Sequence, residues 1–176
     1  MIFTPTDLPG AMIIDPERRG DDRGYFARVY CKKEFEQHGL FVPVVQTNMS
    51  FSKHKGTLRG LHYQVPPQSE DKLVRCSSGA IFDVLVDMRA DSATYCRWFG
   101  AELSAENLRM LLVPKGFAHG FITLTDDVVV TYQVSEYFSP MAERGLRFDD
   151  PAFSIDWPVP VRVISDKDRN WPDFKT

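Results

Sequence analysis

The feature that most constrains the fold is a succession of short segments rich in Val, Ile, Phe and Tyr, separated by glycine, proline and polar turn residues. Short strands at regular spacing are typical of an all-β sandwich or barrel. Long helical periodicity is absent from the sequence, which argues against a parallel α/β sheet. The predicted strands are 11–15, 25–30, 42–51, 57–64, 72–77, 80–88, 95–103, 109–113, 117–124 and 128–137.

Helices are expected to be few and short. Residues 33–38 form the best helix candidate, and residues 104–107 are a candidate for a single helical turn. The 12 prolines and 11 glycines are scattered without a linker-like cluster, so the 176 residues are expected to form one domain, 1–176. A chain of this length buries roughly 70% of its unfolded surface, so it needs neither a disulfide nor a metal to fold.

Net charge, hydropathy and cysteine content argue against several classes of protein. Lys plus Arg minus Asp plus Glu is 21 − 24 = −3, whereas a dedicated nucleic-acid binder usually carries a basic surplus. No apolar run is long enough to span a bilayer, so no membrane association is expected and a cytoplasmic location is predicted. Cys31, Cys76 and Cys96 are odd in number and lack a CxxC spacing, which predicts reduced thiols.

Strand alternation places four polar side chains on faces shared with apolar or small neighbours. They are Tyr132, with Val128, Val130 and Val134; Lys72, with Val74 and Cys76; His119, with Phe117 and Phe121; and His62, with Gly60 and Gln64. Any one of them alone is compatible with an ordinary core histidine, a rim tyrosine or a snorkelling lysine. Together they would be costly in a core without chemistry, so they predict a polar cavity inside the barrel.

Three kinds of chemistry are compatible with a polar cavity: metal binding, nucleophilic catalysis and general acid–base catalysis. A metal site needs three or four convergent ligands, but the strand of His62 offers no second histidine or carboxylate, and His38 and His54 fall in segments predicted to be exposed. Nucleophilic catalysis has little support, because the chain has no GxSxG elbow and no cysteine beside a histidine. A Gly-rich phosphate loop is also absent from the sequence. General acid–base chemistry fits best, with a histidine base, a tyrosine acid and a lysine facing a developing oxyanion.

Eight motifs in order along nearly the whole chain resemble the dTDP-4-dehydrorhamnose 3,5-epimerase family. They are Asp21–Phe26, Gln46–Ser50, Arg59–Gln64, Lys72–Cys76, Ile81–Arg89, Val113–Phe121, Glu143–Pro151 and Ser165–Asp168. The resemblance implies a cupin-type jelly roll, usually a homodimer, that uses no metal or organic cofactor. It also implies a nucleotide-diphosphate 4-keto sugar as the substrate.

The resemblance assigns catalytic roles to particular positions. His62 corresponds to the base that removes the proton beside the 4-keto group, and Asp168 corresponds to the carboxylate that supports it. Lys72 corresponds to the cation near the keto oxygen, and Tyr132 to the acid that returns a proton to the opposite face. His119 occupies the position of a second active-site histidine.

Further positions match the family's substrate contacts. Arg23 and Arg59 correspond to diphosphate-binding residues, which suits guanidinium geometry. Gln46 and Asn48 match polar contacts, and Phe26 matches an aromatic residue that packs against the nucleotide base.

Two positions depart from the family pattern. Arg28 stands where a glutamate is common, and alternation places it on the same face as Phe26. Phe138 stands where a tyrosine is often found; it can still stack on a base but has no hydroxyl. Both departures concern recognition of the nucleotide base and leave the catalytic set complete.

The leading hypothesis is therefore an epimerase of a nucleotide-linked 4-keto-6-deoxyhexose. Epimerases that act only at carbon 3 or only at carbon 5 share the same base and acid, so the sequence leaves that alternative open. A non-catalytic nucleotide-sugar-binding cupin would be expected to lack His62, Asp168 or Tyr132, and all three are present. A metal-dependent cupin is the third class, and this sequence lacks the grouping of metal ligands that such a protein requires.

Overall fold

The computed structural model describes residues 1–175; Thr176, the last residue of the predicted domain, lies outside the described residues. Within residues 1–175, thirteen strands and two short helices follow one another. They are β1 (Ile2–Pro5), β2 (Met12–Asp15), β3 (Arg18–Asp21), β4 (Gly24–Ala27), α1 (Lys32–Gln37), β5 (Gln46–Ser52), β6 (Leu58–Gln64), β7 (Lys72–Ser78), β8 (Ala80–Asp87), β9 (Trp98–Ser104), β10 (Met110–Val113), β11 (Phe117–Thr123), β12 (Val128–Val134), β13 (Glu143–Gly145) and α2 (Asp166–Arg169).

Two antiparallel sheets form the body of the molecule. The first has six strands in the order β1-β2-β10-β7-β12-β5, and the second has five in the order β13-β6-β11-β8-β9. Strands that are neighbours in a sheet are mostly distant in sequence, which is the connectivity of a jelly roll. The predicted all-β class, a cupin-type jelly-roll barrel with short helices, is confirmed.

The main core lies between the inner faces of the two sheets, where residues from both sheets pack in one cluster. The cluster includes Val74, Cys76, Val128 and Val130 from the first sheet and Ile81, Leu85, Phe117 and Phe121 from the second. The four residues of the first sheet and the two phenylalanines of the second are apolar neighbours with which Lys72, Tyr132 and His119 were predicted to share their faces. The inward and outward directions of the side chains in these strands therefore agree with those predicted from the sequence.

Strands β3 and β4 form a separate two-stranded hairpin outside both sheets. Almost every residue of the hairpin is exposed, including Tyr25 and Phe26 at 53% and 60%. The sequence predicted only the second strand of this pair, because Arg18–Asp21 is polar on both faces and shows no alternation.

Several predicted segments begin or end at different residues. The strand expected at 42–51 begins at Gln46, and Pro43, which lacks an N–H to donate to a ladder, lies in the part that is not a strand. Ser104 is the last residue of β9, and residues 105–107 form a turn rather than a turn of helix. There the N–H of Ser104 donates to Asn107 Oδ1 at 3.0 Å, and the N–H of Asn107 donates to Ser104 Oγ at 3.0 Å.

The strand expected to begin at residue 95 begins at Trp98, because a buried carboxylate folds the preceding loop into turns. Asp87, at 0% exposure, accepts hydrogen bonds from Arg89 Nε at 2.8 Å, Ser92 Oγ at 2.6 Å and Thr94 Oγ1 at 2.7 Å. Burial acts to raise the pKa of Asp87, but these hydrogen bonds outweigh it, and its pKa falls well below the usual range. Asp87 therefore anchors the loop between β8 and β9.

Helix α1 matches the prediction for 33–38 to within one residue and packs Phe35 into a second apolar cluster. The three cysteines are free among the described residues, and burial raises the pKa of Cys76 to about 11, which disfavours its thiolate. Within the same residues, no helix combines the length and apolar character needed to cross a membrane.

Candidate active site

A cavity of about 600 Å³ opens between the two sheets and is lined by the polar residues predicted to face inward. His62 and His119 come from β6 and β11 of the five-stranded sheet, and Lys72 and Tyr132 come from β7 and β12 of the six-stranded sheet. Asp168, from α2, lines the same cavity. The predicted polar cavity is thus present, and its walls belong to different sheets.

His62 and Asp168 form a short, partly buried pair. His62 Nε2 lies 2.6 Å from Asp168 Oδ1, and the side chains are 30% and 7% exposed. Because an ionised carboxylate can only accept, Nε2 carries the hydrogen and donates it, which leaves the lone pair on Nδ1 free to take a proton. This is the arrangement of a general base held in one tautomer by its partner.

Asp168 reaches the cavity because the C-terminal segment is pinned beside β6. The N–H of Leu58 donates to the Val163 carbonyl at 2.8 Å. Helix α2 then begins after Ser165, whose Oγ accepts from the N–H of Asp168 at 3.1 Å, the usual way of capping a helix N-terminus. The second oxygen of Asp168 accepts the N–H of Gly60 at 3.1 Å, so both carboxylate oxygens are used.

The environment keeps Asp168 ionised and Tyr132 protonated. Burial acts to raise the pKa of Asp168, but hydrogen bonds from His62 and the Gly60 N–H outweigh it, and its pKa lies below the usual value. For Tyr132, burial raises the pKa, and the nearby charge of Glu70 raises it further. The phenol therefore retains its proton through the neutral range, as an acid must.

Lys72 stands at the start of β7 and is partnered by Glu70. Its Nζ lies 3.1 Å from Glu70 Oε1 and donates to the His62 carbonyl at 3.5 Å. Both side chains are nearly buried, at 12% and 11% exposure. An ammonium group is thereby fixed in the cavity wall formed by the six-stranded sheet, with its Nζ close to the backbone of His62 in the other sheet.

His119 is paired with a carboxylate of its own. It lies directly opposite His62 in the β6–β11 ladder, and its Nε2 is 2.8 Å from Asp83 Oδ1. Asp83 is completely buried, and its other oxygen has no hydrogen-bond partner among the described residues. Both histidines that line the cavity are therefore paired with an aspartate, and of these two aspartates only Asp168 has a hydrogen-bond partner for each oxygen among the described residues.

The backbones of β6 and β11 approach closely beside the two histidines. Gly60 has φ +113°, and a Cβ placed there would lie 2.6 Å from Gly120 Cα. A larger residue at 60 would thus push the strands apart as well as strain the backbone. Glycine at this position allows the N–H of residue 60 to reach Asp168.

A second cavity of about 340 Å³ continues from the first and shares His62, Lys72 and Tyr132 with it. Gln46, Asn48 and Phe138 line this side cavity. The N–H of Phe138 donates to Gln46 Oε1 at 3.3 Å, which links the loop after β12 to β5. The three residues predicted to contact substrate beside the catalytic set therefore lie together.

Arg59 lines the larger cavity, as predicted for a residue that contacts substrate. Its Nε donates to Ser52 Oγ at 3.0 Å and its Nη2 to the Phe51 carbonyl at 2.8 Å. These contacts hold the guanidinium at the cavity while leaving donors for an anion.

Arg23, Phe26 and Arg28 lie on or beside the β3–β4 hairpin and line neither of these two cavities. The side chain of Arg23 is 90% exposed and pairs with Asp21 at 2.5 Å, whereas Arg28 pairs with Glu34 at 3.0 Å. Phe26 and Arg28 line one small surface pocket, in agreement with the shared face read from alternation. The structure of one chain does not bring the hairpin residues to His62.

Other residues of the site were not predicted from the sequence. They are Glu70, Asp83, Ser50, Thr57 and Lys167. Asp83 carried a usable signal, since alternation in β8 places it on the inward face with Ile81 and Leu85. Lys167 and Glu70 lie in charged segments without periodicity, and only the folded chain shows that they face a cavity.

No group of three or more His, Cys, Asp or Glu side chains within residues 1–175 is placed to hold a metal ion. The polar groups of the cavity are paired as histidine with aspartate and lysine with glutamate. The arrangement can accept a proton at His62, donate one at Tyr132 and stabilise a negative charge near Lys72.

Comparison with known proteins identifies the family of the chain. The family model of dTDP-4-dehydrorhamnose 3,5-epimerase matches residues 5–176. An enzyme of that name from Sinorhizobium fredii is 47% identical over 175 residues, covering 99% of this chain and 90% of its own.

Solved structures of such enzymes superpose closely on the fold. The Bacillus anthracis dTDP-4-dehydrorhamnose 3,5-epimerase, with TDP and PPi bound, has a TM-score of 0.95 and 45% identity, covering 98% of this chain and 99% of its own. A Legionella pneumophila 3,5-epimerase in complex with dTDP-4-keto-L-rhamnose has a TM-score of 0.90 and 37% identity, covering 99% of both chains. The chain is thus an isomerase and belongs to the dTDP-4-dehydrorhamnose 3,5-epimerase family.

Proposed function

We propose that this protein epimerises a dTDP-linked 4-keto-6-deoxyhexose at the carbons beside the keto group, converting dTDP-4-dehydro-6-deoxyglucose to dTDP-4-dehydrorhamnose. The observation that carries the proposal is the convergence of the His62–Asp168 pair, Lys72 and Tyr132 on one cavity. The ligands of the Bacillus anthracis and Legionella pneumophila enzymes support the choice of nucleotide and sugar.

In the first step, His62 removes the proton from a carbon next to the 4-keto group. The C–H electron pair becomes a C=C bond, and the carbonyl π electrons move to oxygen to form an enolate. Lys72 donates to that oxygen, and Asp168 stabilises the imidazolium that forms. A fixed cation at a developing oxyanion is worth about 3–4 kcal/mol in comparable sites.

In the second step, the enolate takes a proton from Tyr132 on the other side of the same carbon. The imidazolium of His62 then releases its proton to solvent and the phenolate recovers one from solvent, which restores both groups. His62 and Tyr132 belong to opposite sheets, so the cavity offers a base on one wall and an acid on the other. This arrangement supports removal and return of the proton on opposite faces, which is what inversion requires.

The remaining polar residues of the cavity bind and orient the substrate. We assign Arg59 to the diphosphate, and Gln46, Asn48 and Phe138 to recognition of the nucleotide. His119, held by Asp83, contacts the sugar beside the base. The combined volume of the adjoining cavities, about 600 and 340 Å³, suits a ligand of nucleotide-sugar size.

We also propose that the protein is a homodimer in which Arg23, Phe26 and Arg28 serve the partner's cavity. The hairpin that carries them is exposed and stands apart from both sheets of its own chain. The exposed aromatic rings of Tyr25 and Phe26 suit burial against another copy. In the partner's cavity, the guanidinium of Arg28 can donate hydrogen bonds to a nucleotide base but cannot accept them.

The test is to incubate the protein with dTDP-4-dehydro-6-deoxyglucose in deuterated water and locate the label by NMR. Deuterium at carbons 3 and 5 with formation of the rhamno product is expected. Label at only one carbon would identify a mono-epimerase instead. Tight dTDP binding without any exchange would contradict catalysis and indicate a nucleotide-sugar-binding protein.

A further inference from the structure

Among residues 1–175, Glu70 is the one carboxylate that forms an ion pair with the ammonium of Lys72. The two side chains are nearly buried and their charged atoms are 3.1 Å apart. Because an ammonium has three donors and Nζ also contacts the His62 carbonyl at 3.5 Å, two of the three are engaged within the protein. One donor remains for a ligand.

Glu70 is itself held by a rigid support. Its second oxygen, Oε2, accepts from Gln64 Nε2 at 3.3 Å. Gln64 is 3% exposed, and the two hydrogens of its Nε2 are shared among Glu70 Oε2, the Gln68 carbonyl at 2.9 Å and the Tyr137 carbonyl at 3.2 Å. Its Oε1 accepts from the N–H of Ser139 at 2.6 Å. The position of the Glu70 carboxylate is therefore fixed by strand β6 and by the loop that carries Phe138.

We propose that Glu70 is the positioning residue for Lys72, holding its ammonium so that the third donor serves the keto oxygen of the substrate. This inference rests on the proposed function, since it takes Lys72 as the group that stabilises the enolate. Glu70 acts through the lysine and does not itself touch the reacting atoms.

The physical reason is the flexibility of the lysine side chain. Its ammonium is a point charge on a four-carbon stem with many accessible rotamers, so its location depends on what it is bonded to. Misplacing a catalytic group by one ångström can cost about 10²-fold in rate. Without Glu70, the one polar contact of Nζ left within the described part of the chain is the 3.5 Å approach to the His62 carbonyl.

A double-mutant cycle tests this role through kcat for epimerisation. Glu70→Ala should lower kcat by about 10- to 100-fold with KM within about threefold of wild type. In the Lys72→Ala background the same change should have almost no further effect, because there is no ammonium left to position. Glu70→Gln keeps an acceptor oxygen and should restore kcat to within about fivefold of wild type.

Glu106→Ala provides the matched control, since Glu106 is an exposed glutamate outside both cavities. Should Glu70→Ala fail to fold, Glu70→Asp takes its place, because it keeps the charge but withdraws the carboxylate by one methylene. Additive losses in the cycle, or full activity of Glu70→Ala, would overturn the positioning role while leaving the proposed function intact. A wild-type protein that exchanges no proton of the 4-keto sugar would overturn both.

Discussion

At the scale of single residues, the hydrogen bond from His62 to Asp168 decides which ring nitrogen can act as a base. The carboxylate accepts from Nε2, and Nδ1 keeps its lone pair. His62→Ala should therefore reduce deuterium exchange by at least about 10²-fold, the usual contribution of a general base. Asp168→Asn should cause a smaller loss of about tenfold, because the base remains but its tautomer is less well fixed.

Exchange is measured by mass spectrometry on the substrate in deuterated water, with circular dichroism as the control for folding. Near-normal exchange by His62→Ala would show that another group removes the proton. His119, the other histidine of the cavity, would then be the first to consider.

Tyr132 is expected to matter for inversion rather than for proton removal. Its phenol stays protonated because burial and Glu70 raise its pKa. Tyr132→Phe removes only the hydroxyl, so deuterium exchange should continue while the yield of inverted product falls by about 10²-fold. Equal loss of both activities would mean that the ring only shapes the cavity.

The sequence predicted which way side chains point where polar and apolar residues alternate along regular strands. Four polar residues on apolar faces predicted the cavity, and Asp83 could have been found in the same way. Asp168 was placed beside His62 by resemblance alone, because the bond joins residues that are 106 positions apart. Glu70 and Lys167 were missed, since a charged segment without periodicity gives no indication of which way it faces.

At the scale of secondary-structure elements, the loop between β8 and β9 depends on one buried carboxylate. The pKa of Asp87 is lower in the folded protein than in the unfolded chain, so its stabilisation is present above about pH 4 and is lost as the pH falls below that value. Asp87→Asn should therefore lower the free energy of unfolding by about 3 kcal/mol at pH 7. The difference from wild type should shrink at pH 3.

Urea unfolding of both proteins at pH 7 and pH 3 measures this difference. Asp91→Asn, a change at an exposed aspartate of the same loop, is the matched control and should have little effect at either pH. A loss of equal size at the two pH values would show that the charge of Asp87 is not what stabilises the loop.

Elements were predictable where apolar side chains repeat with the strand period. Strands β6, β7, β8, β11 and β12 were placed within a few residues of their observed ends. Strand β13 has three residues and α2 has four, both too short to show a period. Strand β1 was also missed, although it pairs with β2 along its whole length.

At the scale of the whole molecule, the proposed dimer makes a prediction that a monomer cannot satisfy. If Arg23 serves the partner's cavity, Arg23→Ala and His62→Ala subunits complement each other when co-expressed. Random pairing makes half of the dimers mixed, and each mixed dimer keeps one intact site, so about a quarter of wild-type activity should return.

Co-expression of His62→Ala with Arg59→Ala is the matched control, because both residues line the cavity of the same chain. No mixed dimer then has an intact site, and activity should remain at the level of the separate variants. Recovery in the control, or none in the test pair, would contradict a site shared between subunits.

The separation of His62 from its partner along the chain has a consequence for synthesis. A ribosome completes both sheets, from β1 to β13, before it reaches the codon for Asp168. A chain broken between β13 and α2 thus retains every strand of the barrel and still lacks the carboxylate that orients the base. Such a chain would also lose the packing of Phe174 against the apolar cluster of Leu61 and Val84, so the last segment to be synthesised completes both this part of the core and the support of His62.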